Sequence, residues 1–270
     1  MAYMHIGKDF TPPDVHGKVT GKAKFAEDFR VDGMLYARLL TSPVPHARIQ
    51  SLDLSKALQM EGVIAVLTAD DVPAMPALSN PILTNEPAYV GDPILAVAAV
   101  DEQTAEDAIE AINFSFEPLP FTIDPISSLQ PDGPHARTQG NVGNSTMRDE
   151  VRSIHWSEQE IQAINNNEMP EGEAAREWTV GDLEAGFAEA AYVISESFVT
   201  ASHSHHSMEP RSALAYWENG KCFVHGSSQS QSFPVPSLAG YIGIVPADLV
   251  FIAEFCGGGF GSKGAGSPQM

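Results

Sequence analysis

Residues 248–264 read Asp-Leu-Val-Phe-Ile-Ala-Glu-Phe-Cys-Gly-Gly-Gly-Phe-Gly-Ser-Lys-Gly. The apolar run at 248–255 predicts a strand, and the glycines that follow it predict a loop. Because glycine has no side chain to shield the backbone, such a loop exposes N–H groups and lets a ligand approach the main chain closely. The pattern indicates a binding loop for an anion or for the edge of a cofactor.

Three interpretations of this glycine loop stay open on the residues alone. A phosphate-binding P-loop needs glycine directly before lysine, but Ser262 precedes Lys263, so that pattern fails. A dinucleotide-binding fingerprint would use Gly259, Gly261 and Gly264, but it also needs a helix and an acid about 20 residues further on. We find neither before residue 270. The third interpretation is a glycine-rich turn that binds no ligand.

The residues before the loop predict an α+β unit that begins near Trp178. Asn219-Gly220 lies between two apolar runs, which is typical of a tight type I′ hairpin turn. The predicted elements are a helix over 181–191, a strand over 192–201, a hairpin of 211–217 and 221–225, a helix over 237–244 and the strand over 248–255.

The first half of the chain predicts a separate α+β domain of about 110 residues, over 17–125. Its predicted strands are 34–40, 49–54, 62–68, 93–100 and an edge strand over 112–120, and its predicted helices are 55–60 and 101–112. Between the two units, 126–177 loses apolar periodicity apart from one possible amphipathic helix over 157–164. A stretch of this length without strong structure is unusual in a compact domain, so we interpret it as a linker or surface excursion that wraps another surface.

The composition excludes several classes of protein. The chain has 270 residues, 43% of them hydrophobic, with 13 Phe, 6 Tyr and 3 Trp, so it can bury a sizeable core and is not disordered throughout. Its formal net charge of −20 repels phosphate backbones and anionic lipid heads, and therefore argues against nucleic-acid and membrane-surface binding. No export signal or membrane span is visible, so we expect a cytoplasmic protein.

The chain has only 2 cysteines, Cys222 and Cys256. Two are too few for a disulfide framework or a cysteine-rich metal cluster.

A second cluster that could carry chemistry is His203-Ser-His-His-Ser-Met-Glu209. On a strand, His203 and His205 would share a face, and with Glu209 they could form a zinc site. Three ligands within seven residues often fail tetrahedral geometry, however, and histidines more often serve as hydrogen-bond partners. Between this cluster and the glycine loop, Gly226-Ser-Ser-Gln-Ser-Gln-Ser ends a strand and by itself would be a helix-capping turn.

Taken in order, these features resemble the molybdenum-binding large subunit of the xanthine oxidase and aldehyde oxidase family of molybdenum hydroxylases. Four segments are similar to the family's α/β hammerhead domain, and three are similar to the first part of its molybdopterin-binding domain. The hammerhead-like segments are 17–28, 36–49, 62–73 and 89–99. The others are His206-Ser-Met-Glu-Pro, Ser227-Ser-Gln-Ser and Gly257-Gly-Gly-Phe-Gly-Ser-Lys.

The resemblance implies a fold and a set of site residues. We expect an α+β protein with a hammerhead domain at 17–125, the linker at 126–177 and an incomplete molybdopterin-binding domain at 178–270. Gln229 would donate its amide to an oxygen ligand of the molybdenum, and the loop of Gly258, Gly259, Phe260 and Gly261 would lie against the pterin. No protein atom ligates the metal directly in the family, so the zinc interpretation of 203–209 becomes improbable.

The resemblance also implies an activity and partners. The family hydroxylates an aldehyde or an N-heterocyclic aromatic with oxygen from water. The cofactor would be molybdopterin with molybdenum, the cytosine dinucleotide form being one candidate. Because this chain lacks the cysteine pattern of 2Fe-2S clusters, an iron–sulfur subunit would take the electrons, with a flavin subunit carrying FAD as a further candidate.

Two departures from the family pattern set expectations of their own. Purine-oxidising members carry a glutamate directly after the lysine of the loop, where this chain has Gly264. We therefore expect an aldehyde or another small aromatic rather than xanthine. The family's general-base glutamate lies far beyond this loop, so we expect it to be absent from this chain and the chain alone to be inactive.

A second polypeptide, or a longer version of this one, would then complete the molybdopterin domain through a partly apolar interface. Two other classes remain as alternatives. One is a non-catalytic assembly or scaffold chain that keeps a vestigial cofactor loop, and the other is a mononucleotide-binding protein.

Overall fold

The computed structural model describes residues 4–72, 81–135, 138, 140–141, 153–166, 168, 177–194, 196, 198, 200 and 203–266, and within them the chain is α+β, as the sequence predicts. The strands are β1 (Tyr36–Thr41), β2 (Ala47–Asp53), β3 (Val63–Thr68), β4 (Pro93–Ala99), β5 (Asn113–Pro118), β6 (Ala213–Glu218), β7 (Lys221–Gly226) and β8 (Leu249–Ile252). The helices are α1 (Val15–Val19), α2 (Ser55–Gln59), α3 (Glu102–Ala111), α4 (Pro125–Leu129), α5 (Glu158–Asn165), α6 (Leu183–Glu189) and α7 (Pro234–Tyr241).

Strand β4 is the centre of the first sheet. It pairs antiparallel with β1 on one side and β3 on the other, so its backbone groups are bonded along both edges. Its side chains are almost all buried, which explains why its sequence is continuously apolar rather than alternating. The core around it contains Ala57 of α2, Leu95 and Val97 of β4, and Ala108 of α3.

Helix α3 begins where the sequence places acids. The side chain of Asp101 accepts a hydrogen bond from the Thr104 N–H at 2.7 Å and so satisfies one of the unpaired donors of the first turn. Strand β5 follows the helix and, among the described residues, pairs with β2 alone in a two-stranded antiparallel sheet, which confirms the predicted edge strand.

The second sheet has the order β6-β7-β8. Strands β6 and β7 form the predicted hairpin, and its two turn residues, Asn219 and Gly220, have φ of 49° and 79°, as a type I′ turn requires. Strand β8 returns after α7 and pairs parallel to β7. The core between this sheet and α7 contains Val224, Leu238 and Phe251.

Residues between Gly17 and Phe29 contact the second sheet and the segment that follows β8. The ring of Phe29 lies 4.3 Å from that of His225 in β7, and the ring of Phe25 lies 6.2 Å from that of Phe255. A Cβ on Gly17 would lie 2.9 Å from the Phe255 ring, so this glycine allows close packing there. From the sequence we assign residues 17–30 to the hammerhead domain, and this assignment stays a prediction. The structure shows that residues in this range also contact the second half of the chain.

The central segment contains the predicted helix. Helix α5 begins after Ser157, whose hydroxyl accepts the Glu160 N–H at 3.3 Å, while the Glu160 carboxylate accepts the Ser157 N–H at 2.7 Å. This reciprocal pair is a capping box, and it fixes where the helix begins.

The predicted long strand over 192–201 is wrong for the residues that the structure describes there. Tyr192, Val193 and Ile194 have no regular structure, and Tyr192 and Ile194 are exposed. Their apolar character predicted a buried strand, but no partner strand in the described part of the chain supplies the hydrogen bonds that a strand at this place would need.

In the described ranges, no helix combines the length and the apolar character that crossing a membrane requires.

Candidate cofactor-binding site

The parallel pairing of β7 and β8 brings two sequence motifs to one edge of the sheet. Ser227-Ser-Gln229 directly follows the end of β7, and the glycine loop, residues 257–264, follows β8 after a short extension. Strand β7, helix α7 and strand β8 form a β-α-β unit. Ligands of such units bind outside the carboxyl ends of the parallel strands, which is where both motifs lie.

Gln229 is hydrogen-bonded to the glycine loop. The N–H of Gly261 donates to Oε1 of Gln229 at 3.0 Å, and the N–H of Gln229 donates to the carbonyl of Lys263 at 3.0 Å. Because Gly261 contributes a donor, the amide oxygen must face it, and the amide NH₂ keeps both protons for another acceptor. Among the described residues, none accepts from that NH₂.

The glycines of the loop are required by space and by backbone conformation. A Cβ on Gly259 would lie 2.2 Å from Oε1 of Gln229, which no side chain can tolerate. Gly258 and Gly261 have φ of 102° and 98°, a region that L side chains rarely adopt. Phe260 has φ of 50° and its side chain is 75% exposed, so the loop holds a large apolar ring in solvent.

The loop presents free backbone donors beside the Gln229 amide. No acceptor among the described residues pairs with the N–H groups of Gly258, Gly259 or Phe260. Several unpaired donors on a turn favour an anionic or oxygen-rich ligand. The space that a side chain at Gly259 would take is filled by the Gln229 amide, so this glycine is needed for the contact between the loop and Gln229.

A buried ion pair anchors this loop to the preceding segment. Nζ of Lys263 donates to the main-chain oxygen of Glu209 at 2.7 Å and to its Oε2 at 3.2 Å. The same Oε2 accepts the N–H of Gly257 at 2.7 Å. A Cβ on Gly257 would lie 2.5 Å from Cβ of Glu209, so this glycine is also needed for the contact.

The pKa of Glu209 reflects this environment. Burial raises the pKa, but hydrogen bonds from the Gly257 N–H and the Lys263 ammonium, with the positive charge of Lys263, outweigh it. The net result is a pKa below the ordinary glutamate value. Glu209 is therefore ionised at neutral pH and acts as the acceptor that holds both ends of the loop.

Hydrogen bonds from neighbouring residues hold the end of the loop. Oγ of Ser228 donates to the carbonyl of Lys263 at 2.9 Å, and the guanidinium of Arg211 donates to the carbonyl of Ser262. Ser262 closes the turn, since its N–H and its hydroxyl both donate to the carbonyl of Gly259 at 2.8 Å. These contacts position Gln229 and the free N–H groups.

The histidine cluster does not assemble around Glu209. His203, His205 and His206 are exposed, without regular structure, and no group of three or more potential metal-ligating side chains occurs among the described residues. The Glu209 carboxylate is bonded to the loop instead. His205 approaches the loop, with Nε2 3.6 Å from the position that a Cβ of Gly261 would take.

The structure thus brings together Gln229, Gly258, Gly259, Phe260 and Gly261, the five residues that the resemblance singled out. Sequence reasoning missed the roles of Lys263 and Glu209. The signal was present: a lysine among small residues at the end of a glycine loop is a candidate for burial with a carboxylate.

Two family models match most of the chain. The α/β hammerhead domain of aldehyde oxidase and xanthine dehydrogenase matches residues 20–120, and the molybdopterin cofactor-binding domain matches residues 165–270. The second match contains the glycine loop and Gln229.

Curated proteins with similar sequences include subunits of several dehydrogenases. The nicotinate dehydrogenase large molybdopterin subunit of Eubacterium barkeri is 30% identical over 269 residues, which cover 97% of this chain and 56% of that protein. The carbon monoxide dehydrogenase large chain of Afipia carboxidovorans is 30% identical over 258 residues, covering 90% of this chain and 30% of that protein. The chain therefore spans 30% of one of these relatives and 56% of the other.

Solved structures of the same kind share the fold. The Cu,Mo-CO dehydrogenase in its carbon monoxide reduced state matches with a TM-score of 0.72 and 25% identity, covering 97% of this chain and 33% of that chain. Quinoline 2-oxidoreductase from Pseudomonas putida 86 matches with a TM-score of 0.71 and 24% identity, covering 98% and 32%, and shows the fold alone.

Proposed function

This chain belongs to the aldehyde oxidase and xanthine dehydrogenase family, and on that basis we propose that it holds one side of a molybdopterin cofactor in a molybdenum hydroxylase. The observation that carries the proposal is the hydrogen bond of 3.0 Å from the Gly261 N–H to Oε1 of Gln229. It orients the amide so that its NH₂ is a free donor beside the loop's unpaired N–H groups. An oxygen-rich metal group needs donors of this kind from a protein.

In this proposal the glycine loop and Gln229 have separate tasks. The N–H groups of Gly258, Gly259 and Phe260 bind acceptor atoms of the cofactor, and the absent side chain at Gly259 lets the Gln229 amide pack against the loop. The NH₂ of Gln229 donates to an oxygen ligand of the molybdenum. Glu209 and Lys263 touch neither and act as positioning residues, since their ion pair holds the loop in place.

The substrate class follows from the same loop. When bound, the molybdenum group supplies the two-electron oxidation of a carbon atom with oxygen taken from water. We infer a substrate that is an aldehyde or an N-heterocyclic aromatic other than a purine, because Gly264 stands where purine-oxidising members have a glutamate. Relatives whose names give an N-heterocyclic substrate include nicotinate dehydrogenase and nicotine 6-hydroxylase.

Electron transfer in the proposal uses another subunit. Cys222 is buried and Cys256 is half-buried, and they are the only two cysteines of the sequence. Two cysteines cannot bind a 2Fe-2S cluster, which takes four ligands. An iron–sulfur subunit, with or without a flavin subunit, would therefore receive the electrons.

Exposed apolar side chains support a further polypeptide segment that completes the molybdopterin domain. The segment around α6 exposes large apolar residues of a kind that proteins bury. They are Trp178 (81% exposed), Val180 (94%), Tyr192 (90%), Ile194 (81%) and Phe198 (88%). Exposed apolar clusters of this kind mark interaction surfaces. We propose that turnover requires the segment that covers them, because it would also supply the general base.

The test is to purify the complex from the source cells through a tag on this chain and to measure molybdenum and pterin. The proposal predicts both, together with iron from the partner subunit. Absence of molybdenum and pterin from a complex whose partner is active would support the assembly-chain alternative. Retention of a mononucleotide by this chain alone would support the nucleotide-binding alternative.

A further inference from the structure

A pair of histidines lies outside the cofactor site, in the central segment between the two family-model matches. Nε2 of His135 lies 3.3 Å from Nε2 of His155. Oγ of Ser153 lies 3.0 Å from the first of these nitrogens and 3.3 Å from the second. Three atoms that can donate lone pairs therefore form a nearly equilateral triangle.

The two imidazoles point their Nε2 atoms at one another. Their ring centroids are 5.4 Å apart, much farther than the 3.3 Å between the nitrogens, so the nitrogens are at the near ends of the rings. At 3.3 Å the two nitrogens lie just beyond the range of about 2.7–3.2 Å that protein N–H···O hydrogen bonds take. With zinc–nitrogen bonds of about 2.0–2.1 Å, two ligands of one tetrahedral ion are roughly 3.3 Å apart.

The tautomer of His155 suits a metal ligand. Its Nδ1 lies 2.7 Å from the carbonyl of Gln130, which can only accept, so Nδ1 carries the proton. In the neutral ring this leaves the lone pair on Nε2, the atom that faces His135. Histidines that bind metals commonly donate their other N–H to a carbonyl in this way, which fixes the ring orientation.

Backbone contacts hold the segment of Ser153 and His155 in place. The side chain of Asn141 accepts the Ile154 N–H at 2.8 Å and donates to the Ile154 carbonyl at 2.7 Å. The N–H of Trp156 donates to the carbonyl of Leu129 at the end of α4, at 2.7 Å. The position of His155 is therefore set by contacts that do not depend on a metal.

We propose that His135 and His155 bind a divalent transition-metal ion of the zinc type, with the Ser153 hydroxyl at the third corner and water completing the shell. Imidazole nitrogen suits zinc, and the chain's net charge of −20 attracts cations. Among the described residues, no third His, Cys, Asp or Glu joins the pair. His135 is exposed and His155 half-buried, so the bound ion is accessible to solvent and can exchange with ions in solution. It would join two positions 20 residues apart and so stabilise the central segment.

The test is to titrate zinc into the chelator-treated full chain and to measure the heat of binding by isothermal calorimetry. Cobalt(II) absorption is a second probe. The proposal predicts one zinc per chain, a tetrahedral cobalt spectrum and a higher unfolding temperature with zinc. His135→Ala and His155→Ala should each abolish the one-site binding, and His203→Ala, in the other histidine cluster, should leave it unchanged.

Three results would overturn the proposal. They are the absence of a one-site signal in the wild-type chain, binding that survives both His135→Ala and His155→Ala, and binding that only His203→Ala removes. The wild-type titration decides even if a variant does not fold. None of these results bears on the molybdopterin proposal, because the two sites share no residue.

Discussion

The ammonium of Lys263 lies 2.7 Å from the main-chain oxygen of Glu209 and 3.2 Å from its Oε2, and the two side chains are 1% and 7% exposed. A charge pair this deeply buried is costly to break, because the remaining partner is left unpaired away from water. Glu209 holds both ends of the glycine loop, because it binds Lys263 near the end of the loop and accepts the N–H of Gly257 at its start. The ion pair is therefore a buried structural support of the candidate site.

Lys263→Met should destabilise the chain by about 3–5 kcal/mol, because it leaves the Glu209 carboxylate buried without its cation. The measurement is urea unfolding of the purified chain. Lys18→Met is the matched control, since Lys18 pairs with Asp14 at 2.5 Å but both side chains are about 40% exposed. Little change is expected there. Equal effects of the two substitutions would contradict the structural role of Lys263.

Stability should fall in acid partly through Glu209. Its pKa is lowered in the folded chain, so its ion pair contributes stability above the ordinary value of 4.5. That contribution is lost as the pH falls through the lowered folded-state pKa. Other carboxylates, including Asp101 and Asp124, have lowered pKa values too, so the wild type must be compared with Glu209→Gln. Below about pH 4.5 we expect the unfolding free energy of the wild type to fall more steeply with pH than that of Glu209→Gln. Parallel curves for the two proteins would refute this.

Gly259→Ala should displace the Gln229 amide, because the new Cβ would lie 2.2 Å from Oε1. Overpacking of this kind costs about 1–3 kcal/mol. The control is Gly240→Ala in α7, where a Cβ meets nothing within 4 Å and alanine favours the helix by about 1 kcal/mol. Thermal unfolding should show opposite shifts for the two variants. A Gly259→Ala chain as stable as the wild type would mean that the loop does not pack against Gln229 as described.

Cys222 should react slowly with alkylating reagents in the folded chain. Burial raises the pKa of its thiol above the ordinary 9.0, and the thiolate is the reactive form. Iodoacetamide labelling at pH 8 followed by mass spectrometry should modify Cys222 only after urea is added. Cys256 is half-buried and serves as the internal comparison. Rapid labelling of Cys222 in native buffer would show that the β7 core is open.

The sequence predicted the family and the fold class, and both are confirmed. Most helices and strands lie where local signals placed them, because those signals act within a few residues. Asp101 begins α3 through its own side chain, and Asn219-Gly220 sets the hairpin turn by its backbone preference. Such elements need no information from distant parts of the chain.

Two features could not be predicted, because they depend on distant partners. The parallel pairing of β7 with β8 places Gln229 beside the glycine loop, and no local pattern distinguishes parallel from antiparallel pairing for a short apolar run. The ion pair of Glu209 and Lys263 joins residues 54 positions apart. The wrong strand over 192–201 has the same origin, since an apolar run shows that burial is needed but not which partner provides it.

The central claim is that Gln229 donates its amide protons to a molybdenum group, and Gln229→Glu tests it most directly. Glutamate keeps an oxygen for the Gly261 N–H but cannot donate, and its charge repels oxygen ligands. Gln231→Glu is the matched control, because the Gln231 amide donates to the Ala253 carbonyl at 3.1 Å instead.

The measurement is molybdenum content and turnover of the complex purified through a tag on this chain. We predict that Gln229→Glu lowers one or both by about 10- to 100-fold while Gln231→Glu leaves both near wild type. Wild-type molybdenum content and turnover in the Gln229→Glu complex would contradict the account.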